Sequence, residues 1–221
     1  MDDEPEDARV DELSSIEAIF PEIQKVNEND PFTFSLDLPV NPVKPVVVTF
    51  PAASTATAPV LVNGAGGGAR DGPAAQGNPI GLAATRGVDS HELSYLPSVS
   101  LRISLPEGYP AQQPPKAVVS ANPPWLTADV VTRLESDAKR LWEDMGRDMV
   151  AYTYIDHVQQ AAENVFDMVN ANGTLEVDPA HKLAILDYDI KSRRAAFEKD
   201  TFDCGVCLGA FTTPTIWCRA P

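Results

Sequence analysis

The first 203 residues of this 221-residue chain contain no cysteine, and basic residues are scarce throughout. Without a thiol, this long stretch can neither form disulfides nor use cysteine as a nucleophile. Only 17 Lys and Arg residues stand against 32 Asp and Glu residues, which gives a formal net charge of −15. A chain this acidic has no general attraction for nucleic-acid phosphates or for anionic membranes. We therefore expect neither nucleic acid nor a membrane as a partner.

Targeting and membrane-spanning signals are also missing. No apolar run approaches the roughly 20 residues that a transmembrane helix needs. The first twelve residues carry seven acids and one arginine, which is the opposite of a signal or transit peptide. From these features we expect a protein of the cytoplasm, the nucleus or both.

Apolar residues are nevertheless frequent enough, at 43% of the chain, to form a core. They recur at helical spacing in some segments and alternate with polar residues in others. Strands that follow one another through turns, with helices grouped before and after them, predict an α+β two-layer sandwich built on a four-stranded antiparallel meander. The predicted helices cover 7–20, 127–148, 154–171 and 180–199, and the predicted strands cover 32–38, 45–50, 99–105 and 116–120.

The composition changes abruptly between the second and third predicted strands. From residue 51 to residue 90, 27 of 40 residues are Ala, Gly, Pro, Ser or Thr, so this segment has almost nothing to bury. Its glycine run, Gly66 to Gly68, lacks the Gly-Lys-Ser/Thr ending of a phosphate-binding loop. We interpret residues 51–92 as a disordered low-complexity insert.

A specific motif lies between the third and fourth predicted strands, in the segment E-G-Y-P-A-Q-Q-P-P. It resembles the Y-P-x-x-x-P-P signature of the RWD domain, with Tyr109, Pro110, Pro114 and Pro115 at the fixed positions. The prolines stiffen the loop before folding. A buried tyrosine ring commonly places its hydroxyl against a backbone group. We therefore predict a structural role for these four residues.

The resemblance to the RWD domain covers residues 7–171, interrupted by the insert. The acidic first helix, which ends at Phe20, is similar to the start of that family. The resemblance implies a fold like that of ubiquitin-conjugating enzymes but without their catalytic cysteine. Such a domain is expected to bind other proteins. Residues 172–200 are interpreted as a linker followed by a helix.

The segment T-F-D-C-G-V-C-L begins at residue 201 and resembles the opening of the first RING in RING-between-RING (RBR) E3 ubiquitin ligases. Some members of that family carry an N-terminal RWD domain. Cys204 and Cys207 have the spacing of a zinc knuckle, which needs two further ligands. After Cys207 only Cys218 could contribute, as a weaker candidate, and no histidine follows Cys207. A redox dithiol or simply free thiols are the alternatives for this pair.

Residues 201–221 are therefore expected to be a truncated start of a first RING. Zinc would bind in a full-length form and would not be held stably by this chain. No catalytic residue is predicted, because the resemblance places the catalytic cysteine of RBR ligases in a second RING that this sequence lacks.

The function implied is that of the N-terminal protein-interaction part of an RBR-type E3 ubiquitin ligase. The full-length form would receive ubiquitin from a ubiquitin-conjugating enzyme (E2) and transfer it to a substrate. Substrate or regulatory proteins would bind the RWD domain. The alternative is a stand-alone RWD adaptor without ubiquitin-transfer activity.

Overall fold

The computed structural model describes residues 7–27, 30–51, 89–199, 201–203 and 210–212. In these ranges a helix is followed by six strands, two helices, a strand, a helix and two strands. Two 3₁₀ turns, Val165–Asp167 and Pro179–His181, connect the later elements. The helices and strands are, in order, α1 Ala8–Ile19, β1 Gln24–Asn27, β2 Asp30–Val40, β3 Val46–Phe50, β4 Asp89–Leu93, β5 Leu96–Ser104, β6 Lys116–Ala121, α2 Ala128–Asp144, α3 Ala151–Glu163, β7 Thr174–Glu176, α4 Lys182–Lys199, β8 Thr201–Asp203 and β9 Ala210–Thr212.

The main sheet has four antiparallel strands in the order β1-β2-β5-β6. Along β2 the side chains alternate: Phe34, Leu36 and Leu38 are buried, whereas Ser35 and Asp37 lie on the other face. The structure thus confirms the strand that this alternation predicts. The alternation arises because one face of an antiparallel sheet is covered by other elements and the opposite face can meet solvent.

Helices α2 and α3 cover the apolar face of the main sheet, and α1 packs beside α3. Helix α2 begins where the sequence predicts, with Thr127 as its N-cap accepting a hydrogen bond from the Val130 amide at 3.4 Å. Tyr154 of α3 is fully buried and donates its hydroxyl proton to the carbonyl of Leu134 at 2.9 Å. The α+β class is therefore confirmed, with an antiparallel sheet and helices packed together.

A second, three-stranded sheet corrects the predicted meander. The predicted strand over 45–50 does not join the main sheet, because β3 pairs antiparallel with β4 and parallel with β7. Strand β4 falls at the end of the predicted insert over 51–92, and β7 falls in the predicted linker of 172–200. Both strands are short, and their sequences carry little apolar alternation. Residues 52–88, with the glycine run, lie outside the described residues.

The helix predicted over 154–171 is also corrected, since α3 starts earlier and ends at Glu163. The turn Val165–Asp167 follows, and its three residues all have positive φ, which a right-handed helix cannot accommodate. This turn places Phe166 in the core, where its ring lies 6.0 Å from that of Trp125. Gly173 lies further along the chain, with a φ of 75° in the turn before β7.

Helix α4 is attached to the domain through a buried carboxylate. Asp189 is 4% exposed, and its Oδ1 accepts hydrogen bonds from the amides of Ser94 and Tyr95, both at 2.9 Å. Its Oδ2 pairs with Arg193 Nε at 2.7 Å. On the same side of the helix, Ile185 is fully buried. Helix α4 therefore belongs to the same folded unit as the sheets.

Replacing Asp189 with alanine should destabilise the domain, because the half-buried amides of Ser94 and Tyr95 lose their acceptor. We expect a loss of about 1–3 kcal/mol in the free energy of unfolding, measured by urea denaturation. The control is Glu198→Ala on the same helix, which removes an exposed ion pair with Arg194 and should cost no more than about 0.5 kcal/mol. Equal effects of the two substitutions would contradict the attachment through Asp189.

Candidate interaction surface

The Tyr-Pro segment lies in a tight turn between β5 and β6. Tyr109 is 5% exposed, and its hydroxyl accepts a hydrogen bond from the Val150 amide at 2.7 Å. The peptide bond from Tyr109 to Pro110 is cis. The Pro110 carbonyl accepts a hydrogen bond from Trp142 Nε1 at 2.7 Å. This turn is therefore joined to the end of α2 and to the start of α3.

The two other prolines of the motif complete the turn before β6. Pro115 is buried and Pro114 is half-buried. Because proline lacks an amide proton, neither leaves an unpaired donor at these positions. Their placement fits the structural role predicted for the motif, and the Tyr109 variant described below tests that role.

A buried acid from α1 reaches the same place. Glu12 is 6% exposed, and its Oε1 accepts a hydrogen bond from the Ala151 amide at 2.7 Å. Burial raises the pKa of Glu12 above its ordinary value, against the opposing influence of the Tyr109 hydroxyl and of the amides at the start of α3. Burial is also the main cause that raises the pKa of Tyr109.

Glu12 and Tyr109 together cap α3. The first amides of a helix have no carbonyl partner within the helix, and Val150, at the N-cap position, makes no side-chain capping bond. Glu12 and Tyr109 supply the missing acceptors from two distant segments. A carboxylate is also favourable at the positive end of a helix dipole. We call Glu12, Tyr109 and the amides of Val150 and Ala151 the α3 clamp.

A second buried acid joins α2 to α3. Asp137 is 7% exposed and lies 2.9 Å from His157 Nε2 and 2.7 Å from Arg140 Nη2. Burial opposes ionisation of Asp137, but the hydrogen bonds with His157 and Arg140 outweigh it and hold the pKa of this carboxyl below its usual value. Each of these side chains has its partner within the helix pair. We therefore infer that they stabilise the packing of α2 against α3.

Exposed apolar side chains gather where α1 ends and α3 begins. Ile19 is 53% exposed, Met149 42% and Tyr152 46%. Next to Ile19, the Phe20 ring lies 6.3 Å from the Tyr152 ring, which joins the two helix ends. We call Ile19, Met149 and Tyr152 the α1–α3 surface. Clustered apolar groups open to solvent are typical of protein-binding sites, so this surface is the candidate interaction site.

In the first predicted helix, Val10, Leu13, Ile16 and Phe20 recur at helical spacing, which predicts that Val10 is buried and that the acids, Glu12 among them, lie on the other face. In the structure Val10 is 49% exposed and Glu12 is buried beside Leu13. The position of Glu12, four residues before the buried Ile16, is the signal that could have revealed it. A carboxylate on the apolar side of a helix indicates a partner contributed by another segment.

The three predicted metal-ligating cysteines, Cys204, Cys207 and Cys218, lie outside the described residues. Strands β8 and β9 pair antiparallel on either side of the first two, with Asp203 opposite Ala210. In the ranges that the structure does describe, no three His, Cys, Asp or Glu residues come together as a possible metal site. None of the described helices is both long enough and apolar enough to cross a membrane.

Comparison with known proteins agrees with this architecture. The model of a protein family described as the RWD domain matches residues 7–162. The chain is 24% identical over 156 residues to E3 ubiquitin-protein ligase RNF14 of Danio rerio, covering 53% of this chain and 33% of that protein. It is 25% identical over 207 residues to E3 ubiquitin-protein ligase itt1 of Schizosaccharomyces pombe, covering 91% of this chain and 38% of that protein.

The chain thus spans about a third of the length of the curated relatives it matches. The match to itt1 covers so much of this chain that it must include α4, wherever the match begins. No solved structure matches the chain.

Removing only the hydroxyl of Tyr109 tests the α3 clamp. Tyr109→Phe leaves the Val150 amide buried without an acceptor, which should cost about 1–3 kcal/mol and lower the melting temperature by roughly 3–8 °C. The matched control is Tyr152→Phe, at a ring that is 46% exposed. A Tyr109→Phe variant as stable as the control, but with reduced partner binding, would make Tyr109 a contact residue instead.

The buried Glu12 should make stability depend on pH. Because its pKa is raised above the ordinary 4.5, ionisation costs more in the folded chain than in the unfolded chain. The contribution of Glu12 to the free energy of unfolding therefore becomes less favourable as pH rises from its pKa in the unfolded chain through its pKa in the folded chain. Glu12→Gln keeps an oxygen acceptor for Ala151 and removes the charge. Its stability relative to the unmodified chain should therefore increase from about pH 5 to about pH 7.5, measured by urea denaturation.

The control for this pH dependence is Glu17→Gln. Glu17 lies on the same helix, is 41% exposed and pairs with Lys25 at 2.9 Å. Its substitution should give a difference in stability that does not increase in the same way. A constant or shrinking difference for Glu12→Gln would contradict a charge held in a buried site.

Proposed function

Because this chain belongs to the RWD domain family, we propose that it is the protein-recruiting part of an RBR-type E3 ubiquitin ligase. The observation that carries the proposal is the order of elements: an RWD domain, the attached helix α4, and then Cys204 and Cys207 between the paired strands β8 and β9. Both relatives named above are E3 ubiquitin-protein ligases. Their similarity supports the same role for the protein that contains this domain.

The recruiting role falls on the outer surface of the domain. The α3 clamp uses Tyr109 and Glu12 inside the molecule, where a partner cannot reach them. The α1–α3 surface, by contrast, presents Ile19, Met149 and Tyr152 to solvent. We propose that a substrate or a regulatory protein binds there, with apolar contacts at its centre.

Zinc is the cofactor that this proposal implies. Two thiolates separated by two residues fit half of a tetrahedral zinc site, so Cys204 and Cys207 would be two of the four ligands. Cys218 or later residues of a longer product would supply others. Zinc would fix the loops on which an E2 docks, and the E2 is the second partner that we propose.

The experiment uses the endogenous protein that contains this chain, and its intact mass is measured first. A mass well above 23.8 kDa is expected. With E1, a ubiquitin-loaded E2 and ubiquitin, that protein should transfer ubiquitin. Cys204→Ser should abolish the transfer and reduce the zinc content, whereas Cys218→Ser should have a smaller effect.

A surface variant separates recruitment from ubiquitin transfer. Ile19→Ser combined with Tyr152→Ser should reduce the ubiquitin modification of cellular proteins while leaving discharge of the E2 unchanged. The control is Val118→Ser on β6, which is 53% exposed and lies outside the α1–α3 surface. An endogenous mass near 23.8 kDa, together with no ubiquitin transfer, would contradict the ligase proposal and favour the alternative of an RWD adaptor.

A further inference from the structure

A small cavity lies on the polar face of the main sheet, the face opposite to the one that α2 and α3 cover. Its volume is about 310 Å³, which is near the lower end of the range for small-molecule sites. The turn after α1 and the strands β1, β2 and β5 contribute its lining, which consists of Glu22, Gln24, Ser35, Leu36, Asp37 and Ser100. Five of these six residues have polar side chains. We call this site the β1–β2 cavity.

The pairing register of the strands brings the polar side chains of the cavity together. Gln24 on β1 lies opposite Ser35 on β2, and Asp37 on β2 lies opposite Ser100 on β5. Ser35 and Asp37 are two residues apart and therefore point to the same face of the sheet. Glu22 lines the cavity from the turn between α1 and β1. Two carboxylates, two hydroxyls and one amide thus surround a single volume.

Both carboxylates of the cavity are without a counter-ion. Glu22 and Asp37 are exposed, and within the ranges that the structure describes neither forms an ion pair or a side-chain hydrogen bond. Arg102 lies opposite Ser35 on β5, but it does not line the cavity and pairs with neither acid. A bound cation would offset the repulsion between two negative charges that face one volume.

The lining favours an organic cation over a metal ion. No three His, Cys, Asp or Glu residues of the described part of the chain come together as a possible metal site. A guanidinium group, by contrast, has five N–H donors in one plane and suits several separate acceptors. A carboxylate can accept two of these hydrogen bonds side by side, and hydroxyl and amide oxygens can accept others. The volume admits one such side chain.

We propose that the β1–β2 cavity binds an arginine side chain of the partner protein that the α1–α3 surface recruits. The inference rests on the proposed function, because it names the chemistry of that partner. The turn after α1 links the two places: the Ile23 amide donates a hydrogen bond to the Phe20 carbonyl at 3.2 Å, and the Phe20 ring lies 6.3 Å from the Tyr152 ring. Three residues separate Ile19 from Glu22, so their Cα atoms are at most about 11 Å apart.

One short segment of a partner can therefore reach both places. An apolar side chain of that segment contacts the α1–α3 surface, and a nearby arginine enters the β1–β2 cavity. The charge also provides specificity, because an acidic segment would be repelled by the same carboxylates. The partner is thus a protein that presents an arginine beside apolar residues.

The test is a titration of the 221-residue chain with N-acetyl-arginine amide, followed by ¹H–¹⁵N NMR under reducing conditions and at constant ionic strength. Saturable shifts are expected at the amides of Gln24, Ser35 and Ser100. N-acetyl-citrulline amide has nearly the same shape but no charge, and it should not produce them. Absence of these shifts, or equal shifts with the citrulline compound, would overturn the proposal.

A double variant assigns the binding to the two carboxylates. Glu22→Gln combined with Asp37→Asn should weaken arginine binding at least about fivefold, which corresponds to the loss of two exposed charge pairs. The matched control is Asp129→Asn combined with Glu163→Gln, which removes two exposed acids of α2 and α3 and should leave binding unchanged. Equal effects of the two double variants would show general attraction to an acidic protein and would also overturn the proposal.

A library of random displayed peptides tests whether the cavity and the α1–α3 surface bind one partner. Peptides selected on the unmodified chain should contain an arginine close to apolar residues. Each should bind at least about fivefold more weakly to the Glu22→Gln, Asp37→Asn variant and to the Ile19→Ser, Tyr152→Ser variant. Selected peptides without arginine, or peptides sensitive to only one of these variants, would contradict a shared partner.

These binding measurements involve no ubiquitin chemistry, so they separate this inference from the ligase role. Arginine binding that persists in a protein unable to transfer ubiquitin would count against the ligase role alone. Ubiquitin transfer by a protein that does not bind the arginine probe would count against the cavity alone.

Discussion

The structure depends on two hydrogen bonds at the start of α3. The Val150 and Ala151 amides point away from any carbonyl of their own helix, and they are buried. Tyr109 comes from 41 residues earlier in the chain and Glu12 from 139 residues earlier. The clamp therefore brings three distant segments to one point. Helix α3 carries the fully buried Tyr154, so its placement decides how the core closes over the main sheet.

This clamp separates what builds the domain from what a partner can reach. The signature tyrosine lies inside the molecule, whereas the apolar side chains of the α1–α3 surface are open to solvent. The folded unit also extends beyond the residues matched by the RWD family, since Leu175 and Ile185 are both fully buried. Helix α4 is thus packed against the domain, and in the chain it lies between the residues matched by the RWD family and the segment that contains Cys204 and Cys207.

Much of this fold is predictable from the sequence, because its longer elements carry a clear hydrophobic period. The alternation around Phe34 and the cap at Thr127 are local signals, and the structure confirms both. Strands β4 and β7 carry no comparable signal. They become strands because β3 offers both edges for pairing. The left-handed turn at Val165–Asp167 places Phe166 in the core. No local sequence pattern predicts such a turn.

The candidate site likewise has features that the local sequence predicts and features that only tertiary folding determines. The sequence identifies Tyr109 as a residue to be buried, but the amide that it meets is fixed only by tertiary folding. Glu12 escaped notice because an acid in an amphipathic helix normally faces water. The exposed apolar residues depend on which faces the neighbouring elements leave open. The prediction that Cys204 and Cys207 bind zinc rests on the sequence alone, because both residues lie outside the described residues.

Native-state hydrogen exchange at the Val150 and Ala151 amides tests the clamp most directly. Amides in the first turn of a helix normally exchange fast, because they lack an intrahelical acceptor. If Glu12 and Tyr109 hold them as described, both should exchange only through global unfolding, as slowly as the central amides of β5. Fast exchange at both positions, with β5 still protected, would contradict the account.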